Sequence, residues 1–308
     1  MPSLLDKRLV LVTGKGGVGK TTVAAALGLA AARRGKRVIV CEVARETRLA
    51  ALLDLPAEGY DEHEAEPGLY GMSVDPDRAK REWLQHQLKS GTLAGILGHS
   101  RVFGYLTAAA PGLNELVTIG KVWDLAQLER RTGDRRYDLV ILDAPATGHG
   151  LALFVAPRTY ARVAAAGPVR RQALRIHDFL TDRRATGVLG VALPEEMPVN
   201  ETLDLERGLH EELRLGFDAV VVNALLPDRL TREQETLLES LDERLGRAAR
   251  AAVATALSED RRARLQRAEL RRLRQSVDGP VVTLPYVFEP DIGRAELDAL
   301  SKRLGGLL

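Results

Sequence analysis

The sequence predicts an α/β protein with a doubly wound, mostly parallel sheet, and three observations support this fold class. The run LVLVT at 9–13 is short and continuously apolar, which is typical of a strand buried on both faces. A glycine-rich turn and an Ala/Leu-rich helical segment at 21–34 follow it, and Gly35 closes that helix. A second apolar strand follows at 37–43, so the segment forms a βαβ unit, whose strands run parallel.

The remaining elements are predicted from apolar runs and helical spacing. Further strands are expected at 69–75, 138–143, 187–193, 217–223 and 280–284, and further helices at 201–214, 231–256 and 259–275. Two long intervals, at about 78–133 and 151–186, show mostly helical spacing, and we expect helical insertions there on the ligand side of the sheet. No internal repeat or clear linker divides the chain, so residues 1–308 are expected to form a single domain.

The composition excludes several classes of protein. Lys plus Arg number 44 and Asp plus Glu 42, so a formal charge of +2 gives no global attraction to nucleic acid or an anionic membrane. The lone cysteine, Cys41, rules out a disulfide framework and a CxxC metal site within one chain. The N-terminus is too short and too acidic for a signal peptide, and no apolar run reaches membrane-spanning length, so a cytoplasmic location is expected.

The segment between the first strand and the first helix matches a phosphate-binding loop. Residues 14–21 read GKGGVGKT and fit G-x-x-x-x-G-K-[ST] in the strand–loop–helix context that this pattern requires. Its glycines permit backbone angles that turn successive N–H groups towards one anion. We expect Lys20 to reach the β- and γ-phosphates of ATP or ADP, and the Thr21 hydroxyl to ligate Mg²⁺. The expected nucleotide-binding residues of this loop are Gly14, Lys15, Gly16, Gly17, Val18, Gly19, Lys20, Thr21 and Thr22.

A nucleotide site of this kind also needs a carboxylate at the end of a neighbouring strand. Asp143 closes the apolar run LVIL, and we expect it to hold Mg²⁺ through a water molecule. Because Asp often ends strands for other reasons, this assignment depends on the phosphate loop. The loop DAPATGHG at 143–150 has the Gly and Pro content expected of a segment that senses the γ-phosphate, and His149 is interpreted as a structural residue within it.

Four motifs together resemble one family. KGGVGKTT, with its early Lys15, resembles the deviant Walker A loop of the MinD/ParA/nitrogenase-iron-protein superfamily. DAPATGH at 143–149 resembles the switch II loop of the arsenite-pump and tail-anchored-protein-targeting ATPases, the ArsA-like anion-transporting family within it. LPEEMPVNET at 193–202 is similar to that family's strand-to-helix junction, and VVN at 221–223 to its adenine-reading strand end. The resemblance extends over essentially the whole chain.

The resemblance implies a P-loop, Mg-ATP-dependent dimeric ATPase with an inserted helical subdomain that handles a hydrophobic protein client. Lys15 would reach the partner's nucleotide and Asn223 would contact the adenine. Pro285 opens a segment, 285–293, that resembles the family's C-terminal loop beside the nucleotide, and 111–115 resembles part of its helical subdomain. The dimer partner is either a second copy or a paralogue.

Two surface features bear on a further alternative, a MinD- or ParA-like switch on membrane or DNA. The arginine-rich stretch at 261–274 lacks interleaved aromatic residues, so we interpret it as a solvated helix face, not a nucleic-acid site. The C-terminal stretch at 294–308 is amphipathic, but Glu296 and Asp298 weaken its attraction to anionic lipid.

The chain departs from the family at switch I and in its cysteines. The family has D-P-A-H after the second strand, and its Asp activates the attacking water; this chain reads CEVARET at 41–47. Depending on the alignment, the family Asp falls on Glu42, Val43 or Ala44. Either Glu42 acts in its place, with Glu46 a weaker candidate, or Glu42 only joins the second coordination shell of Mg²⁺. In the second case hydrolysis is slow and the chain is a weakly hydrolysing subunit. The catalytic residues are therefore predicted as Lys15, Lys20, Glu42 and Asp143. A single cysteine disfavours thiol-ligated arsenite efflux, and no zinc site is expected.

Overall fold

The structure is a computed structural model that describes residues 3–43, 48–56, 60–89, 112–127, 137–163, 166–240 and 245–307. Glu46 and most of the switch I segment lie outside the described residues, as does Pro111 of the segment at 111–115.

The described strands form one eight-stranded sheet in the order β3-β4-β2-β5-β1-β6-β7-β8. The strands are β1 Leu9–Thr13, β2 Val38–Glu42, β3 His63–Glu66, β4 Leu69–Ser73, β5 Leu139–Asp143, β6 Thr186–Ala192, β7 Ala219–Leu225 and β8 Val281–Pro285. Every neighbouring pair is parallel except β3 with β4, which is antiparallel at one edge. The predicted α/β class with a mostly parallel sheet is confirmed.

Helices cover both faces of this sheet. They are α1 Lys20–Ala32, α2 Arg48–Leu53, α3 Pro76–Lys89, α4 Leu113–Leu125, α5 Thr147–Val163, α6 Pro168–Thr181, α7 Glu196–Leu213, α8 Arg232–Ser240, α9 Arg247–Ser276 and α10 Arg294–Leu307. Helices α1, α2 and α10 share one hydrophobic cluster with one sheet face, and α4, α5, α6, α7 and α9 share another with the opposite face.

The central strands are apolar along their whole length because both of their faces are buried. In β1, Leu9 and Leu11 enter one cluster, whereas Val10 and Val12 enter the other, and all four are fully buried. Successive side chains of a strand point to opposite faces, so a sheet covered twice needs a continuous apolar run. This is why all the strands predicted from such runs are present.

Two elements differ from the sequence prediction. Strand β3, with the sequence HEAE, was not predicted because it has no apolar pattern. Among the described strands it pairs with β4 alone, at the polar edge of the sheet. The predicted break between helices near residue 257 is wrong, since α9 is continuous from Arg247 to Ser276. No Gly or Pro occurs at that point, and the helix boundary instead lies at Gly246, the N-cap residue.

Helices α3, α4, α5 and α6 pack on one another and account for the described parts of the two predicted insertions. Helix α4 also contacts β5, and α6 contacts β6, which joins this helical layer to the centre of the sheet. Over the described ranges, none of the helices combines the length and the apolar character needed to cross a bilayer.

Candidate nucleotide site

The phosphate loop leaves the sheet at the carboxyl end of β1 and enters α1 at Lys20. Three of its glycines, Gly14, Gly17 and Gly19, have φ angles of +152°, +83° and +90°, which residues with a side chain rarely adopt. Gly19 is also the N-cap of α1. The loop therefore presents the positive end of a helix and a backbone shape that only glycine provides at low cost.

Close packing fixes the loop as well as its backbone angles do. A Cβ on Gly14 would lie 2.2 Å from the carbonyl oxygen of Val191 in β6, and one on Gly19 would lie 2.3 Å from the Asn223 Nδ2 atom. Asn223 Nδ2 donates a hydrogen bond of 3.0 Å to the Val18 carbonyl. Residues near the ends of β6 and β7 thus pack against the loop and hold it in place.

Lys20 turns its ammonium back into the loop. Its Nζ atom donates to the Lys15 carbonyl oxygen at 2.9 Å. Burial lowers the pKa of Lys20, and the nearby charge of Asp143 opposes that shift. A backbone carbonyl is a neutral acceptor, so a phosphate oxygen is a stronger partner for this ammonium at the same place.

Thr21 and Asp143 meet at the head of α1. The Thr21 hydroxyl donates to Asp143 Oδ2 at 2.6 Å, and Asp143 Oδ1 has no hydrogen-bond partner in the described part of the chain. Asp143 ends β5, which pairs directly with β1. Burial raises the pKa of Asp143 to about 6; the Thr21 hydrogen bond lowers it, the charge of Glu42 raises it further, and Lys20 opposes the rise.

These residues fit the two groups that the family implies. Mg²⁺ prefers oxygen ligands and keeps several of its waters, and the pair supplies a hydroxyl and a carboxylate. Within the described ranges, one oxygen of that buried carboxylate has no hydrogen-bond partner. The glycine loop and Lys20 fit the phosphates of a nucleotide, because only glycine at 14 and 19 avoids a collision with Val191 and Asn223 and so keeps this loop shape.

Glu42 lies beside Asp143 but faces another element. The two residues are aligned across the β2–β5 pair, yet Glu42 Oε2 accepts a hydrogen bond of 3.1 Å from the Leu49 backbone N–H in α2. Burial raises the pKa of Glu42, and the backbone N–H groups of Leu49 and Arg48, together with the Arg48 charge, oppose it. The assignment of Glu42 as general base stays a prediction.

Lys15 has a partner within its own chain. Its Nζ atom lies 2.8 Å from Glu201 Oε1 in α7, and both side chains are about one-third exposed. The sequence interpretation gave Glu201 no role, although it lies in the motif at 193–202. The motif at 193–202 was the feature of the sequence that could have placed Glu201 beside the nucleotide site.

Of the two residues predicted to contact the base, Asn223 lies in β7 and Pro285 ends β8, the strand that pairs with β7. Leu225 of β7 is aligned with Pro285 of β8, and Pro285 is exposed. Beyond Pro285, the exposed rings of Tyr286 and Phe288 stand edge to face with centroids 4.9 Å apart, a pair that the sequence interpretation overlooked. Their only signal was two aromatic residues in a chain that has few.

The loop after Asp143 reaches the phosphate loop. A Cβ on Gly16 would lie 3.7 Å from the Ala146 Cβ, so the two loops are in contact distance of each other. Thr147 and Gly148 open α5, and the side chains of Thr147 and His149 lie outside the described residues.

A glycine loop between a buried strand and a helix, with Lys20 and Thr21 at its end and a carboxylate on the adjacent strand, defines a P-loop NTPase fold. Comparison with known protein families gives a match to the family described as "Anion-transporting ATPase". The match covers residues 7–166, just over half of the chain. The chain belongs to the anion-transporting ATPase family, which confirms the resemblance read from its motifs.

Three curated relatives of this chain are all named as ATPases. The chain is similar to ATPase BagA of Mycobacterium tuberculosis, with 32% identity over 228 residues that cover 72% of this chain and 66% of the relative, just under two thirds of its length. It is 25% identical over 279 residues to ATPase GET3C of Arabidopsis thaliana, covering 74% and 69%. ATPase ASNA1 homolog 1 of Paramecium tetraurelia is 29% identical over 158 residues, covering 48% and 43%.

Proposed function

We propose that this protein binds and hydrolyses Mg-ATP, works as a dimer, and uses nucleotide-driven closure to handle a hydrophobic protein client. The observation that carries the proposal is the hydrogen bond of 2.6 Å from the Thr21 hydroxyl to the buried carboxylate of Asp143. It lies beside Lys20, where the glycine loop ends and α1 begins. The three relatives above are all named ATPases, which supports hydrolysis.

Each residue of the site has a role in this proposal. The N–H groups of the glycine loop and the Lys20 ammonium bind the β- and γ-phosphates, while the Thr21 hydroxyl and Asp143, through water, hold Mg²⁺. The metal, when bound, neutralises charge that develops on the transferred phosphoryl group. Lys15 meets the nucleotide of the partner, and Asn223 and Pro285 adjoin the base.

We assign water activation to Glu42 and expect turnover to be slow. Because burial raises its pKa, the Glu42 carboxylate is a stronger base than an exposed one. The hydrogen bond from the Leu49 N–H to Glu42 Oε2 holds this carboxylate against α2, and we expect that contact to slow hydrolysis. If Glu42→Gln turns over ATP as fast as the unaltered chain, Glu42 is not the base.

We assign residues 1–308 to one ATPase domain whose helical layer serves the client. A small cavity between α3, α4 and α6 is lined by apolar side chains that include Trp83, Leu116 and Ile176. The helices around this cavity contact β5 and β6, the two neighbours of β1. These contacts support coupling between the phosphate site and an apolar partner. A cytoplasmic location, where ATP is available, is part of this proposal.

A weakly hydrolysing subunit that pairs with a paralogue is the second candidate. The mismatch with the family at switch I, where Glu42 stands in a segment without D-P-A-H, favours it. Activity on DNA is less well supported, because Arg261, Arg264 and Arg267 of α9 are paired with acidic residues of neighbouring segments.

The test combines mass and turnover in one sample. The purified chain is examined alone, with ADP and with a slowly hydrolysed ATP analogue, each with Mg²⁺, and its ATPase rate is measured in parallel. We expect self-association with the analogue and slow turnover; Lys20→Ala loses both. A chain that stays monomeric in every nucleotide state contradicts the dimer, and fast turnover by the single chain contradicts the paralogue alternative.

A further inference from the structure

The contact between Lys15 and Glu201 joins two elements that leave adjacent strands. Lys15 lies in the loop after β1, and Glu201 lies in α7, which follows β6, the neighbour of β1. The Nζ–Oε1 distance is 2.8 Å. The lysine of the phosphate loop is therefore drawn towards a helix of its own chain.

The rest of the loop is held by contacts that do not involve the Lys15 side chain. Asn223 bonds the Val18 carbonyl, and Lys20 bonds the backbone carbonyl of Lys15, not its ammonium. The Lys15 side chain can consequently change partner while the loop keeps its backbone shape.

The strength of the ion pair suits an exchangeable contact. The side chains of Lys15 and Glu201 are 35% and 32% exposed, so water and salt screen the attraction. Ion pairs of this exposure change an equilibrium by up to about fivefold. A polyphosphate carries several negative charges and outcompetes a single carboxylate for the same ammonium.

From this geometry we infer that Glu201 is a positioning residue: it retains Lys15 on its own chain and thereby sets the protein concentration at which nucleotide drives self-association. The inference rests on the proposed function, in which Lys15 acts on a partner. Lys15 must leave Glu201 to reach the second chain, so this contact competes directly with dimer formation.

The experiment measures self-association by sedimentation with Mg²⁺ and a slowly hydrolysed ATP analogue. Glu201→Gln keeps the side-chain shape and removes the charge, and we expect its midpoint at about two- to fivefold lower protein concentration. The matched control is Glu211→Gln, an exposed position of α7 roughly 15 Å further along the helix, which leaves the midpoint unchanged.

Two readouts separate positioning from a general structural effect. A Lys15→Ala background loses the contact with the partner, so its self-association is measured over a higher range of protein concentration. There the Glu201→Gln shift disappears, because the two changes act on one contact. As ionic strength rises from about 0.05 M to about 0.5 M, the midpoints of the unaltered chain and of Glu201→Gln converge, because salt screens the pair. Thermal unfolding midpoints confirm that each variant is folded.

Several outcomes overturn the inference. An unchanged midpoint for Glu201→Gln shows that the contact is inert, and a higher midpoint shows that Glu201 supports the interface instead. A shift that persists without Lys15 also contradicts it. If the unaltered chain binds a fluorescent ATP analogue without self-association, the dimer of the proposed function fails together with this inference. If the unaltered chain self-associates with the analogue, the dimer stands and the Glu201→Gln result decides the inference alone.

Discussion

At the scale of single residues, the phosphate loop depends on places where a side chain is absent. Gly14 has a φ of +152°, and its missing Cβ leaves room for the Val191 carbonyl of β6. That carbonyl belongs to the central sheet, so it cannot withdraw without disturbing the strand pairing. Gly16, two residues later, has ordinary space around it.

This difference gives a matched pair of substitutions. We expect Gly14→Ala to lower the free energy of unfolding by about 2–4 kcal/mol, because strain and a backbone clash add together. Gly16→Ala, whose Cβ would be 3.7 Å from its nearest neighbour, should change it by less than about 1 kcal/mol. Urea unfolding measures both. Equal midpoints for the two variants would show that the close approach to β6 is unimportant.

Asp143 makes stability depend on pH in the protein free of metal and nucleotide. Burial raises its pKa to about 6, above the ordinary value of 3.8. As pH rises, the unfolded chain loses this proton first, so the contribution is complete below about pH 4 and is lost as pH passes 6. Asp143→Asn should therefore be more stable than the unaltered chain above pH 6, by about 3 kcal/mol at most, with convergence near pH 4.

The measurement is unfolding by urea between pH 4 and 8 in the presence of a chelator. The same variant should lose the Mg²⁺-dependent part of nucleotide binding, because it lacks the carboxylate. An Asp143→Asn protein that is less stable at every pH would mean that the buried charge is not the source of the cost.

At the scale of elements, α9 shows how a long helix is anchored at one part of its length. Its 30 residues span roughly 45 Å, about twice the length of β7 beside it. Its buried contact with the end of β7 is a hydrogen bond of 2.8 Å from the Leu226 backbone N–H to Gln266 Oε1. Arg264 ties the same region to Glu235 of α8.

Gln266→Ala tests this anchor. Removing the amide leaves the buried Leu226 N–H without its acceptor, and we expect a loss of about 1–3 kcal/mol in the free energy of unfolding. Arg262→Ala, an exposed position one turn earlier on α9, should change stability by less than about 0.5 kcal/mol. Chemical denaturation compares the two, and a Gln266→Ala protein as stable as the control would contradict the anchoring role.

At the scale of the whole molecule, the central sheet connects the helical layer with the phosphate site. The layer contacts β5 and β6, and the site lies at the ends of β1 and β5. Both tryptophans of the chain lie in this layer, Trp83 in α3 and Trp123 in α4. Trp83 lines the cavity between α3, α4 and α6, and Trp123 is buried in α4. Their emission therefore reports on the packing of the helical layer and not on the nucleotide itself.

Closure driven by nucleotide should change this emission. We expect a shift in tryptophan fluorescence when Mg²⁺ and a slowly hydrolysed ATP analogue are added. The change should be smaller for ADP, because in the proposed function the switch loops respond to the γ-phosphate. Lys20→Ala is the control that does not bind. Saturated nucleotide binding with unchanged emission would show that the layer does not respond.

The sequence predicted much of the fold for a reason visible in the sheet. Strands buried on both faces must be apolar throughout, so β1, β2 and β5 could be recognised locally, whereas the polar edge strand β3 could not. The helix break assigned near residue 257 failed because no residue there stops a helix; α9 continues through it.

The sequence by itself determined the chemistry that contiguous residues carry: the glycine loop, Lys20, Thr21 and the family. Only the tertiary structure decided which distant side chains meet, such as Thr21 with Asp143 across 122 positions and Lys15 with Glu201. The physical reason is that local spacing encodes the periodicity of one element, while contacts between elements depend on the strand order β5-β1-β6, which no local pattern records.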